Sequence, residues 1–407
     1  MRRLFVPIII VMLTLGLFSS ALAQVQVIGE EVDYRFGESI TFRSEIQTGS
    51  PVKSVQLFIQ REGKYDTISS PVLLPENGVV EYSLDPNQDR IRAFSTLQYW
   101  YEITLENGDS YATPKASFYY DDNRFSWQTR DKSPFQALWH EGDAVFGQNL
   151  LDIAHKGMQQ INNLLLVPDL DGVKIYAYAN PVDMRATLQV TDRNWVGAHT
   201  DPDLQVMVVS LPSGPEQRLE MERQIPHELM HIVLYQKIGP SYVNIPSWFN
   251  EGLASIAELY PNPDYLIILS SAYEKGKLFP MKDLCSPFPR DAAGAYLAYA
   301  QAASFTRFLH KEYGSSGLDM LLQAYAEGLN CERGVQVALR SDLNQLEVQW
   351  LREAFGQDPM ATAATNLAPW IALLLAVLAV PALIIITGLR KKPAPDNQAS
   401  TKGARTA

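Results

Sequence analysis

The run QIPHELMHIVLYQKIGPSYVNIPSWFNEGLAS, Gln224–Ser255, places His227 and His231 four positions apart with Glu228 between them. A second acid, Glu251, follows after nineteen intervening residues. On a helix, residues i and i+4 project one turn apart from the same face, so both imidazoles can reach one metal ion. A catalytic zinc takes three protein ligands and keeps a fourth position open, and Glu251 is the natural third. Glu228 is badly placed to ligate and well placed to take a proton from water at the open position. Hydrolysis is the chemistry such a set supports. An H-E-x-x-H run also arises by chance, so the motif alone leaves both site and coincidence open.

To converge, these side chains need one helix and a returning second one. Met230, Ile232, Val233 and Leu234 supply apolar positions that would bury the rest of the motif helix, and Gly239-Pro240 would end it. Pro226 directly precedes His227. Either the helix begins near Pro226, or an earlier helix over Gln217–Gln224 joins it at a kink; both preserve the i, i+4 geometry. A second helix is expected from about Pro246 to Leu259, with proline favourable in its first turn. Gly252, Ala254 and Ser255 are small enough for close helix packing, and the link is long enough to bring Glu251 back over the histidines. Glu258, two turns on, reads either as a group that orients a ligand or as an exposed carboxylate. His140, His155, His199 and His310 have no partner at ligand spacing and read as surface or core residues.

The remaining sequence suggests what carries these helices. At 407 residues the chain suits two domains with extensions, and 46% hydrophobic with 19% charged residues is globular composition. Residues 25–125 alternate apolar and polar positions between turn clusters such as Glu106-Asn107-Gly108-Asp109. That pattern predicts an all-β sandwich of immunoglobulin or fibronectin type. From 138 to 358 the pattern is α+β: a helical stripe over His140–Leu165, strand-like runs at Val173–Ala179 and Leu204–Leu211, then helices. The run LQVMVVSL, Leu204–Leu211, reads as a sheet-edge strand that could pair with an extended peptide, or equally as a plain core strand.

Both ends read as targeting segments. Residues 1–23 combine two arginines, an apolar run and Ala21-Leu22-Ala23, a signal peptide cut after Ala23; an uncleaved anchor is the rival reading. Trp370–Leu389 is uncharged and long enough for a single transmembrane helix, and the basic tail of 390–407 would stay cytoplasmic. The expected localisation is therefore single-pass in the cell membrane, with the lipid bilayer as a partner and the N-terminal domains outside. A formal charge of −11 argues against a nucleic-acid partner. The two cysteines, Cys285 and Cys331, suit one disulfide in an oxidising compartment, with two free thiols as the alternative.

Three runs, HELMH (His227–His231), PSWFNEGLA (Pro246–Ala254) and YAQAASFTRFLHKEYG (Tyr299–Gly314), resemble the gluzincin metallopeptidases. The likeness is to the peptidase MA-like group, related to aminopeptidases of the thermolysin clan. It implies a thermolysin-like fold, Zn2+ held by His227, His231 and Glu251, Glu228 as general base, and Tyr299 as donor to the oxyanion. Tyr296 lies three residues from Tyr299, and the family spacing to Leu309 and Gly314 favours Tyr299. Departures exist. The gap between His231 and Glu251 is one residue longer than in the aminopeptidases, and their amine-reading G-x-M-E-N is missing. Its nearest counterpart is Gly197-Ala198-His199-Thr200-Asp201.

The expectation is thus a membrane-anchored, extracytoplasmic zinc metallopeptidase for peptide or protein substrates, an endopeptidase rather than an aminopeptidase. An inactive peptidase-like adhesion or scaffold protein that binds through the β-domain is the alternative, and a zinc hydrolase of non-peptide bonds a third.

Overall fold

The structure, a computed structural model, describes residues 25–188, 197–356 and 367–379. The expected signal peptide lies outside the described residues. Of the described residues, those up to 155 together with 169–232 form one compact unit, and the remainder form a second.

The first unit opens with eight strands: β1 (Gln26–Arg35), β2 (Ser39–Gln47), β3 (Val52–Arg61), β4 (Thr67–Val72), β5 (Val79–Leu84), β6 (Ser95–Leu105), β7 (Ser110–Ala112) and β8 (Ala116–Tyr120). They make two sheets, β1-β2-β5 and β4-β3-β6-β7, with β8 also paired to β6. Every pairing is antiparallel. In β6 every other residue from Ser95 to Leu105 is buried, the period-two signature of a strand with one face on a core. Phe42 and Ile46 from one sheet, with Leu57, Tyr99, Tyr101 and Ile103 from the other, share that core.

A third sheet follows, as the chain runs through β9 (Gln128–Lys132), β10 (Phe135–Trp139), helix α1 (Ala144–Leu164), β11 (Val173–Tyr178), helix α2 (Pro181–Leu188), β12 (Ala198–Asp201) and β13 (Val206–Ser210). Its order is β12-β13-β11-β10-β9. The inner three strands are parallel and both outer ones antiparallel. The run Leu204–Leu211 therefore supplies an inner strand, and the edge reading is corrected: β12 occupies that edge. All five residues of β13 are buried, which is why it reads as an unbroken apolar run.

The helices are α3 (Gln217–Ile238), α4 (Ser247–Ala257), α5 (Asp264–Glu274), α6 (Ala292–Ala326), α7 (Cys331–Leu339) and α8 (Leu343–Phe355). Gly239, with φ +58°, takes the left-handed conformation that ends α3, and a 3-10 segment Gly239–Asn244 leads towards α4. Helix α6 is interrupted at Gly314, whose φ of +64° and ψ of −173° no helix contains. Cys285 and Cys331 form a disulfide that ties the segment before α6 to the start of α7. Trp248, at the start of α4, donates its indole N–H to Cys331 Sγ at 3.2 Å.

One expectation about the fold class is overturned. Among the described residues no helix is long and apolar enough to cross a membrane. The described part of the expected Trp370–Leu389 span is a helix over 367–379, which at 1.5 Å per residue rises ~20 Å against ~30 Å of hydrocarbon. Residues 380–389 lie outside the described residues. The single transmembrane helix, the single-pass membrane localisation and the bilayer partner fall together on that finding. What is described is a chain of mixed sheets and helices.

Replacing Cys285 and Cys331 together by serine should cost ~4 kcal/mol by the loop-entropy relation for a separation of 46 residues. The check is a urea unfolding curve of the variant beside the wild type, where the midpoint should fall.

Candidate metal centre

Helix α3 runs continuously from Gln217 to Ile238 with Pro226 inside it. Of the two readings of Pro226, the chain is thus helical on both sides of it. Proline removes one backbone donor there, but His227 and His231 keep their helical spacing, with ring centroids 5.3 Å apart. Met230, Ile232, Val233 and Leu234 are fully buried and anchor the helix.

One ligand atom each from His227, His231 and Glu251 all lie within 4.8 Å of one another. Regular tetrahedral coordination with bonds of ~2.1 Å would set donors ~3.4 Å apart, so small side-chain adjustments suffice. Two imidazoles and a carboxylate are also the chemistry of a three-ligand hydrolytic centre, and His231 is buried. This group could hold a metal ion.

Glu251 owes its place to α4. Trp248, Phe249 and Leu253 are fully buried on either side of it, and Asn250 donates its side-chain N–H to Tyr242 Oη at 3.1 Å. Gly252 meets α6 so closely that a Cβ there would fall 2.1 Å from Thr306 Oγ1 and 2.7 Å from the Ala302 carbonyl. Only glycine permits that approach, which brings the backbone beside Glu251 tight against α6. Glu258 follows the last residue of α4 and is 5% exposed, so the exposed-carboxylate reading is corrected. Burial pulls the Arg307 guanidinium below its ordinary value, with the Glu258 charge opposing it.

Glu228 is buried, and its Oε2 accepts from Thr200 Oγ1 at 2.5 Å. Thr200 sits on the edge strand β12, flanked by His199 and Asp201. Arg92, from the segment before β6, donates to Asp201 and also pairs with Asp203 at 2.8 Å. Lys64 and Arg61 approach Asp203 at 3.4 and 3.7 Å. His199 Nε2 lies 3.7 Å from Asp201. Burial lowers the His199 pKa, but Asp201 and the Glu228 charge outweigh it and hold the imidazole above its ordinary value. Burial raises both aspartates, yet His199 and Arg92 bring Asp201 below the usual carboxylate range, and Arg92 does the same for Asp203.

Neither Thr200 nor Arg92 stands out in the sequence. The one available signal was the run Gly197–Asp201 at the place of the amine-reading motif. Tyr299, on α6, is half-buried with its ring edge-on to Phe288 at 5.2 Å, while Tyr296 is 39% exposed. Tyr299 is the more enclosed of the two.

The family model described as Peptidase MA superfamily matches residues 153–356, a stretch that includes every residue of the candidate centre. No curated protein matches the chain. Among solved structures, an aminopeptidase N family protein from Idiomarina loihiensis is similar over 82% of this chain and 74% of its own, at 10% identity and a TM-score of 0.33. A polysaccharide deacetylase from Bacillus cereus is similar over 42% of this chain and 58% of its own, at 12% identity and a TM-score of 0.21. Likenesses at such scores carry no argument about fold or activity.

Gly252→Ala should destabilise the chain by about 1–3 kcal/mol, the usual cost of overpacking, and weaken metal binding. Thr306→Ala should rescue it only in part, since the Ala302 carbonyl cannot move aside; thermal melting and metal titration read both. The two aspartates lie below their unfolded values, so their stabilisation is complete above the unfolded carboxylate pKa of ~3.9 and is lost as pH falls through the folded values. Below about pH 4 the wild type should therefore lose stability faster than the Asp201→Asn, Asp203→Asn double variant, measured by urea unfolding across pH.

Proposed function

The chain belongs to the peptidase MA superfamily, and on that footing we propose that it is a zinc-dependent metallopeptidase that cuts within peptide chains. The convergence of His227, His231 and Glu251 within 4.8 Å carries the reading. In this proposal His227, His231 and Glu251 are the metal ligands, and the peptidase domain spans 138–358 behind a β-domain at 25–125. Bound zinc supplies a Lewis acid and lowers the pKa of a water molecule.

The chain's own residues do the rest. Glu228 takes the proton of the attacking water and returns it to the leaving amine, so no covalent link to the enzyme forms. Its burial keeps bulk water from competing for that proton. Tyr299 donates a hydrogen bond to the oxyanion that develops on the scissile carbonyl. Preference for internal bonds is supported by Thr200, which stands where the related aminopeptidases carry an acid for the substrate's free amine. A threonine there offers no charge to hold that amine.

Glu228→Gln in the full chain should keep stoichiometric zinc and lose ~10²–10⁴-fold in the rate of cleavage of a denatured protein. His227→Ala should lose zinc as well as activity. Metal content measured beside hydrolysis checks both, and a wild type that binds no metal would remove the assignment. Blocking the amino terminus of a test peptide should leave its cleavage intact; cleavage only with a free amine would point to an aminopeptidase.

A further inference from the structure

We propose that Thr200 is a positioning residue for Glu228, kept in place by the ion pairs Arg92 makes beside it. The proposal rests on the metallopeptidase reading above and deepens it.

A glutamate side chain turns about three single bonds, and a general base must hold one orientation to be useful. Thr200 Oγ1, itself buried, lies 2.5 Å from Glu228 Oε2 and 3.3 Å from the Glu228 carbonyl oxygen. A hydroxyl has one proton, and the shorter contact, to the carboxylate oxygen, takes it. That leaves Oε1 as the oxygen for the substrate water's proton.

The strand carrying Thr200 is only four residues long, and among the described residues it pairs on one side, to β13. Such an edge needs more than its ladder to stay in place. Asp201, the next residue, receives Arg92, and Arg92 also holds Asp203, which Lys64 and Arg61 approach. His199 lies against Asp201 from the other side of Thr200. Arg92 thus fastens the last residue of the short strand whose hydroxyl orients the base, while Arg61 at the end of β3 and Lys64 just after it hold Asp203 beyond the strand's end. The β-domain in this arrangement supports the chemistry directly and is more than a spacer.

Thr200→Val keeps the shape and deletes the hydroxyl, and Thr200→Ser keeps the hydroxyl. The full chain is assayed on a denatured protein, with zinc content measured in each variant. The valine variant should keep its zinc and a KM within about twofold while kcat falls ~10-fold or more, and serine should restore kcat to within about threefold. Arg92→Met should lower kcat in wild type but add little in the valine background, since both act through one hydroxyl.

A readout independent of turnover is the Glu228 carboxylate infrared band, assigned by its disappearance in Glu228→Gln. It should shift in the valine variant and stay in the serine one. Wild-type kcat in the valine variant, serine as impaired as valine, loss of zinc with valine, additive losses with Arg92→Met or an unmoved band would each overturn the assignment. A zinc-loaded wild type that cleaves nothing would instead remove the peptidase reading, and the proposal with it.

Discussion

A missing Cβ sets how closely the helix that carries Glu251 packs on its neighbour. Gly252 lets α4 approach α6 until only a backbone carbonyl and a threonine hydroxyl lie where a side chain would begin. Glu251 is the preceding residue, so its backbone lies beside that contact. Helix geometry alone places two imidazoles side by side, but it cannot supply a third donor from the same turn. The carboxylate has to come from another element, and its reach is a few ångströms. Close packing supplies that precision, because interiors filled to crystal-like density have few alternative arrangements.

The second constraint is electrostatic. A buried carboxylate without a hydrogen-bond donor is costly, and Glu228 has its donor in Thr200. The donor stands on a short edge strand whose Asp201 pairs with Arg92, and Asp203, just past the strand, receives Arg92, Lys64 and Arg61. These cations come from strands and turns more than a hundred residues earlier in the chain. The antiparallel sheets at the N-terminus therefore share an ion-pair network with the motif helix's neighbour.

Much of this was legible locally. Alternation marks strands such as β6, and the apolar positions around His227 and His231 mark a helix that buries itself. Where local reading failed, the reason is the same each time: burial and pairing depend on what the chain meets far along its length. Leu204–Leu211 looks equally suited to an edge or an interior, and β12 decides it by pairing along one side. Glu258 looks like a surface acid until the end of α4 is enclosed. Trp370–Leu389 has the composition of a membrane span, yet no helix among the described residues is long and apolar enough to cross one.

From the residues alone came the donor types, their i, i+4 spacing, the returning glutamate and the resemblance to a hydrolase family, because these are properties of short segments and their periodicity. Tertiary structure alone decided that ligand atoms of His227, His231 and Glu251 come within 4.8 Å of one another, that Cys285 joins Cys331, and that Thr200 hydrogen-bonds Glu228. Thr200 and Glu228 are 28 residues apart, and Arg92 and Asp201 are 109 apart. No periodicity links positions at such separations; only packing and charge balance in the folded chain bring them together.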